Sequence, residues 1–123
     1  MKLNPDLLRE VIFALEEDMN RFDPPRRPID GYTWEETDAH ICPLIELGFI
    51  DGAVVKTMAD ESGPVPPTSS VNYGLTAYGQ LLALELRDDN VWQKVKKWAA
   101  STGAAITTAA VGKLIEMAVK RIG

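Results

Sequence analysis

The one histidine of the chain, His40, lies between Asp38 and Cys42. Three such side chains so close together are the raw material of a metal site or of a nucleophile with its base. Their spacing works against both. Residues two apart on a helix point to different faces, so only Asp38 with Cys42, or Glu36 with His40, share a side. Structural zinc needs four converging ligands, and no second Cys/His pair exists to supply them. A reactive Cys42 thiolate would need cations around it, and its sequence neighbours are acidic or apolar. The carboxylate runs Glu16-Glu17-Asp18 and Glu35-Glu36 hold adjacent residues, which diverge on a helix and read as solvated faces. There is no Gly-x-Ser-x-Gly, no phosphate-binding Gly-x-x-x-x-Gly-Lys-Ser/Thr and no His-Glu-x-x-His. The sequence therefore predicts a protein that is not an enzyme and has no metal and no cofactor, with His40 packing or capping beside the wing at residues 49–75.

Nucleic-acid chemistry is the sharper alternative. A helix that reads base edges needs Arg, Lys, Asn or Gln on its outer side, and cations for the phosphates. Residues 31–55 contain no Lys or Arg, and Glu35, Asp38 and Glu46 are the positions expected to face outward there. The cations lie elsewhere: Arg21, Arg26 and Arg27 in one connection, and Lys94, Lys96 and Lys97 further on. The net charge of −5 and pI near 4.8 also disfavour nonspecific phosphate binding.

These residues must be positioned by elements that the pattern makes visible. Asn4-Pro5-Asp6 is a helix start, followed by Leu7, Leu8, Val11, Ile12, Leu15 and Met19 at helical spacing, with a stop near Asn20. Residues 20–31 hold three prolines, three arginines and a glycine, an irregular connection in which residues 28–32 could lend a short edge strand. Thr33-Trp34-Glu35-Glu36 is a capping box. The helix it opens buries Trp34, Thr37, Ile41, Leu44 and Ile45 and stops at Gly48. Pro43 predicts a kink there, or two short helices, because it removes a backbone bond at a cost of ~3 kcal/mol.

A strand over Phe49–Met58, a proline-rich loop over Ala59–Ser69 and alternation of Val71, Tyr73 and Leu75 with polar or small residues predict a long-tipped hairpin. Thr76 caps a helix carrying Tyr78, Leu81, Leu82 and Leu86. Asp88-Asp89-Asn90 breaks it and caps the next, whose stripe is Val91, Trp92, Val95, Trp98 and Ala99. A final helix carries Ile106, Ala110, Val111, Leu114, Ile115, Ala118 and Ile122, with Lys120-Arg121 at its negative end.

The order of elements predicts a mainly α fold with a small β-hairpin: a winged-helix-like core over residues 1–87, with its wing at 49–75, and C-terminal helices over 90–123. His40-Ile41-Cys42-Pro43-Leu44-Ile45-Glu46-Leu47-Gly48-Phe49-Ile50 resembles the His-Leu-x-x-Leu-x-x-Ala-Gly-Leu-Val segment of winged-helix regulators. Over nearly its full length the chain resembles a family of bacterial and phage-borne proteins, a domain of unknown function often encoded in prophages. The pieces are Asp6-Leu7-Leu8-Arg9, Gly31-Tyr32, His40 with Leu44 and Gly48, Leu75-Thr76-x-x-Gly79, Arg87-Asp88-Asp89-Asn90-Val91-Trp92 and the apolar last helix. The resemblance implies a fold and a phage context, and no catalytic residues.

Length and composition set the remaining bounds. A chain of 123 residues, 46% hydrophobic and 25% charged, suffices for one domain with its own core. The single cysteine excludes an intrachain disulfide and suits a reducing, cytoplasmic setting. No signal peptide is evident, and no run approaches the ~18 apolar residues that a membrane span needs. The sequence thus favours a protein-interaction module on a winged-helix scaffold, with a protein partner or a second copy and no membrane or small molecule. The alternative is a DNA-binding regulator using the 34–47 helix and the 49–75 wing. The residues expected to carry interactions are Glu35 and Asp38, Arg26 and Arg27, Lys94 and Lys97, and Leu114 and Ile115, the last two in a symmetric self-contact of the final helix.

Overall fold

Asn4 opens the first helix, α1 (Pro5–Glu17). Its Oδ1 accepts from the backbone N–H groups of Asp6 and Leu7, at 3.1 and 3.3 Å. Pro5 occupies the first position, where its missing N–H is no loss. Leu7, Leu8, Val11, Ile12, Ala14 and Leu15 are buried, so one side of α1 faces inward along its length. In this computed structural model, residues 2–17, 29–55, 68–103 and 105–119 are described. Met19, Arg21, Arg26, Arg27, Met58, Ile122 and the Lys120-Arg121 pair fall outside them, as does most of the proline-rich loop.

The capping box forms in full at α2 (Trp34–Glu46). The Glu36 N–H donates to Thr33 Oγ1 at 3.1 Å, and the Thr33 N–H donates to Glu36 Oε1 at 3.2 Å. The expected division at Pro43 does not occur: α2 runs through it as one helix. Ile41 and Leu44 on either side are both fully buried. Burying two such side chains stabilises by roughly 3–6 kcal/mol, enough to offset the ~3 kcal/mol proline penalty. The helix ends where Gly48 takes φ +85°. The Gly48 N–H donates to the Ile45 carbonyl and the Phe49 N–H to the Leu44 carbonyl, the paired bonds that satisfy a helix end.

Strands β1 (Ile50–Val55) and β2 (Thr68–Leu75) pair antiparallel. Ile50 lies opposite Leu75 and Asp51 opposite Gly74; the register then slips, so that Gly52 faces Val71. Thr68 and Ser69, read from sequence as loop, belong to β2, because Ser69 pairs with Val54 and its side chain is buried. Residues 29–32 form a turn, closed by the Tyr32 N–H on the Ile29 carbonyl, in place of the expected edge strand.

Three more helices follow: α3 (Ala77–Leu86), α4 (Asp89–Thr102) and α5 (Thr108–Val119). Thr76 caps α3 by accepting from the Gly79 N–H, and its hydroxyl donates to the Gly48 carbonyl at 2.6 Å. Asp88 caps α4, and Gly103 at φ +58° ends it. Val91, Trp92, Val95 and Ala99 are buried on α4, while Trp98 is only half-buried against the core. An isolated antiparallel bridge joins Lys2 to Ala105. The described residues thus form a mainly helical fold with one small antiparallel sheet, and among them no helix is long and apolar enough to cross a membrane.

The core is one cluster, fed by α1 through α5 and by Ile29 and Ile50. On α3 its members sit among Gly79, Leu82, Ala83 and Leu86, the buried residues of that helix. This is an i, i+3, i+4, i+7 set. Tyr78 and Leu81, carried on the same helix as Leu82 and Leu86, lie outside this set: they are 70% and 53% exposed. Gly79 sets the rotation. A Cβ on it would lie 2.1 Å from the Phe49 carbonyl oxygen, a backbone atom that cannot step aside.

Two glycines should answer oppositely to alanine. Gly79→Ala should lower stability by about 1–3 kcal/mol through overpacking. At Gly112, in α5, a Cβ would meet only Leu47 methyls at 3.7 and 3.9 Å, so Gly112→Ala should raise stability by about 0.5–1 kcal/mol. Urea melts of both variants check the pair; a neutral Gly79→Ala would mean that the α3–β1 approach is slack.

Candidate functional site

The acidic side of α2 is less open than its sequence suggests. Glu35 is exposed. Asp38, expected on the same outer face, is buried, and Ser69 Oγ donates to its Oδ1 at 2.5 Å. Position 38 falls on the side of α2 against which β2 packs, so this carboxylate fastens the hairpin to the helix. Glu46 is exposed but accepts from Thr108 Oγ1 at 2.7 Å, which ties α2 to α5.

The cations are not gathered beside them. Lys94 and Lys97 are exposed on α4, and Lys96 pairs with Asp6 of α1 at 3.5 Å. Helix α4 packs on α1, α3 and α5. Arg9 and Arg87 serve the fold instead. Arg9 Nε donates to the Leu86 carbonyl, and its guanidinium lies 5.0 Å from the Phe13 ring centre and 4.8 Å from that of Trp92. Arg87 stands over Phe13 and pairs with Glu16.

Leu114 and Ile115, expected in a self-contact of the last helix, are buried in the chain's own core together with Val111 and Ala118. Helix α5 packs against α2, α3 and α4, so these two side chains present nothing to a second copy. Their stripe is legible in sequence; the three helices that cover it are not.

His40 does cap, at the start of α1. It is 1% exposed. Its Nδ1 meets the Glu36 carbonyl at 2.8 Å, and its Nε2 accepts from the Asn4 N–H at 2.9 Å. Accepting at Nε2 requires the neutral ring with its proton on Nδ1. Burial lowers the pKa of His40, against the smaller opposing effects of the Glu36 carbonyl and the Glu36 charge. The ring lines an open cleft of about 350 Å³ with Lys2, Leu3, Asn4, Pro5 and Glu36. Among the described residues no three His, Cys, Asp or Glu side chains group as metal ligands would, and Cys42 is buried.

What the sequence expectation missed is the outer side of α3. Tyr78, Leu81 and Leu84, at intervals of three residues, are 70%, 53% and 59% exposed. Among the ten residues of α3 only Glu85 is charged. That composition was the available signal: the helix has apolar residues for two faces, and one core takes only one of them.

The model of a family described as Hypothetical protein (DUF2513) matches residues 2–105. The chain belongs to this family. The DUF2513 span takes in α1 to α4, both strands, the Lys2–Ala105 bridge and the whole exposed row on α3. No curated protein and no solved structure matches the chain. The DUF2513 span also holds both ends of the Asn4–His40 clasp.

That clasp makes stability depend on pH. The unfolded histidine titrates near 6.5 and the folded one below it, so below about pH 7 the unfolded chain binds more protons. Stability should fall as pH drops through 6.5, with a slope of at most ~1.4 kcal/mol per pH unit. The contribution is complete above this range and lost below the folded pKa. Urea midpoints between pH 8 and pH 5.5 should show the decline, and His40→Gln should flatten it. A wild-type midpoint that stays level would remove His40 from this role.

Proposed function

We propose that this DUF2513 chain is a non-catalytic protein-interaction module that docks through the outer face of α3. The observation that carries this is the row Tyr78, Leu81 and Leu84, three large apolar side chains left more than half exposed on a helix whose other side is packed to completion. Soluble proteins keep contiguous apolar patches small, and larger ones mark contacts with other molecules. The resemblance to phage-borne proteins and the single buried cysteine fit a small adaptor working in a reducing cytoplasm.

The order α1, α2, hairpin, α3 supports a winged-helix-like scaffold, and that order is the one observation favouring a DNA-binding regulator. The chemistry opposes it. The outer side of α2 offers Glu35, and residues 31–55 have no cation. The exposed pair Lys94 and Lys97 sits on α4.

Two measurements separate these readings. A photo-crosslinking phenylalanine analogue in place of Tyr78 should give protein adducts in the native host, and these should vanish with Leu84→Asp. The same analogue in place of Gln93, exposed on α4, should give none. In gel shifts with native genomic fragments the wild-type chain should show no band shift at near-physiological salt. Glu35→Lys should add only a weak, nonspecific shift that fades as salt rises. Tight binding of the wild type to one fragment, abolished by changing Glu35, would restore the regulator.

A further inference from the structure

We infer that the α3 face docks a second copy of this chain, with the two α3 helices antiparallel about a two-fold axis at Leu81. The inference rests on the docking role just proposed for that face. The apolar row is symmetric along the helix: Tyr78 lies three residues before Leu81 and Leu84 three residues after it. A two-fold axis through Leu81 sets Leu81 against Leu81 and each Tyr78 against Leu84 of the other copy. An isologous contact of this kind needs one self-complementary patch and closes on itself.

Charge selects both the antiparallel sense and the partner. The only charged residue within α3 is Glu85, near its C-terminal end, and no basic residue stands in the last turn. Reversing the second helix brings each Glu85 beside the N-terminal end of the other α3, where the helix dipole favours a carboxylate. A parallel pair would set Glu85 against Glu85. Two chains of net charge −5 repel as they approach, and the row between Thr76 and Leu84 is free of charge, so two acidic molecules meet there at the least electrostatic cost. A strongly basic partner would find nothing on this row to pair with.

Area sets the strength. Three side chains of this size, a little over half exposed, offer roughly 300–400 Å² per copy, below the ~800 Å² per partner of a standard stable interface. The contact is therefore weak and reversible, and the dimer forms only at high local concentration.

Sedimentation velocity on the full chain from low micromolar to near-millimolar concentration tests this. The weight-average sedimentation coefficient should rise with concentration for the wild type. Leu81→Asp should keep it at the monomer value with an unchanged thermal melt, since the side chain is not in the core. Leu81→Cys should form a disulfide-linked dimer under mild oxidation, because the axis places the two thiols together, whereas Gln93→Cys should stay monomeric. A wild type that is monomeric at every concentration, with no Leu81→Cys dimer, overturns the second copy. The adducts from position 78 then decide what remains. Adducts heavier than the chain by a different protein, lost with Leu84→Asp, leave the docking face standing with another partner. No adduct at all removes the docking face as well.

Discussion

The inner side of α1 is the surface around which most of the other elements gather. Leu7, Leu8, Val11, Ile12 and Leu15 are all but fully buried, and α2, α3, α4 and β2 pack on the helix that carries them. Burying five such side chains contributes on the order of 10 kcal/mol, comparable to the whole net stability of an ordinary domain. Polar bonds fix how α1 lies. Asn4 caps its start and gives its own N–H to His40 of α2, while Arg9 reaches the Leu86 carbonyl at the end of α3 and lies over Phe13 and Trp92. The helix is thus held to α2 at one end and to α3 and α4 further along.

The exposed row on α3 follows from this arrangement. Once Gly79 lies against the Phe49 carbonyl and Leu82 and Leu86 join the cluster around α1, the helix has no rotation left. Tyr78, Leu81 and Leu84 then face away from the chain. The polar residues of α2 are drawn inward by the same packing. Asp38 holds Ser69 and Glu46 holds Thr108, so much of the acidity that marks this helix in sequence fastens it to its neighbours.

Local chemistry was the legible part of the fold. The starts of α1, α2, α3 and α4 follow from Asn4, Thr33, Thr76 and Asp88, and the stop of α2 from Gly48, because each of those bonds spans only a few residues. The stripes of α1, α4 and α5 followed from helical spacing, and so did the hairpin's existence. Of the two outcomes Pro43 allowed, division into two short helices does not occur, since its penalty is local while the burial that overrides it is tertiary. Asp38 misled for a related reason: the hydroxyl that buries it comes from 31 positions away. His40 meets a backbone N–H 36 positions away, so the sequence could mark it as a cap without naming what it caps. On α3 the periodicity was degenerate. Residues 79, 82, 83 and 86 form one apolar set and 78, 81 and 84 another, and only the close approach at Gly79 chooses between them. The candidate site lay within that choice, beyond reach of pattern alone.

The bridge between Lys2 and Ala105 has a consequence for how this unit can be carried. The first and last residues of the family span lie side by side as neighbouring antiparallel backbone, some 5 Å apart by the geometry of such pairs. A unit whose ends emerge together can be set into a surface loop of a larger protein without prising that loop open, or have its ends joined by a short linker and be cut elsewhere. Here the chain runs on past that junction into α5, whose Val111, Leu114, Ile115 and Ala118 complete the same core, so the paired ends of the family span are also the point from which the last helix is launched across α2, α3 and α4.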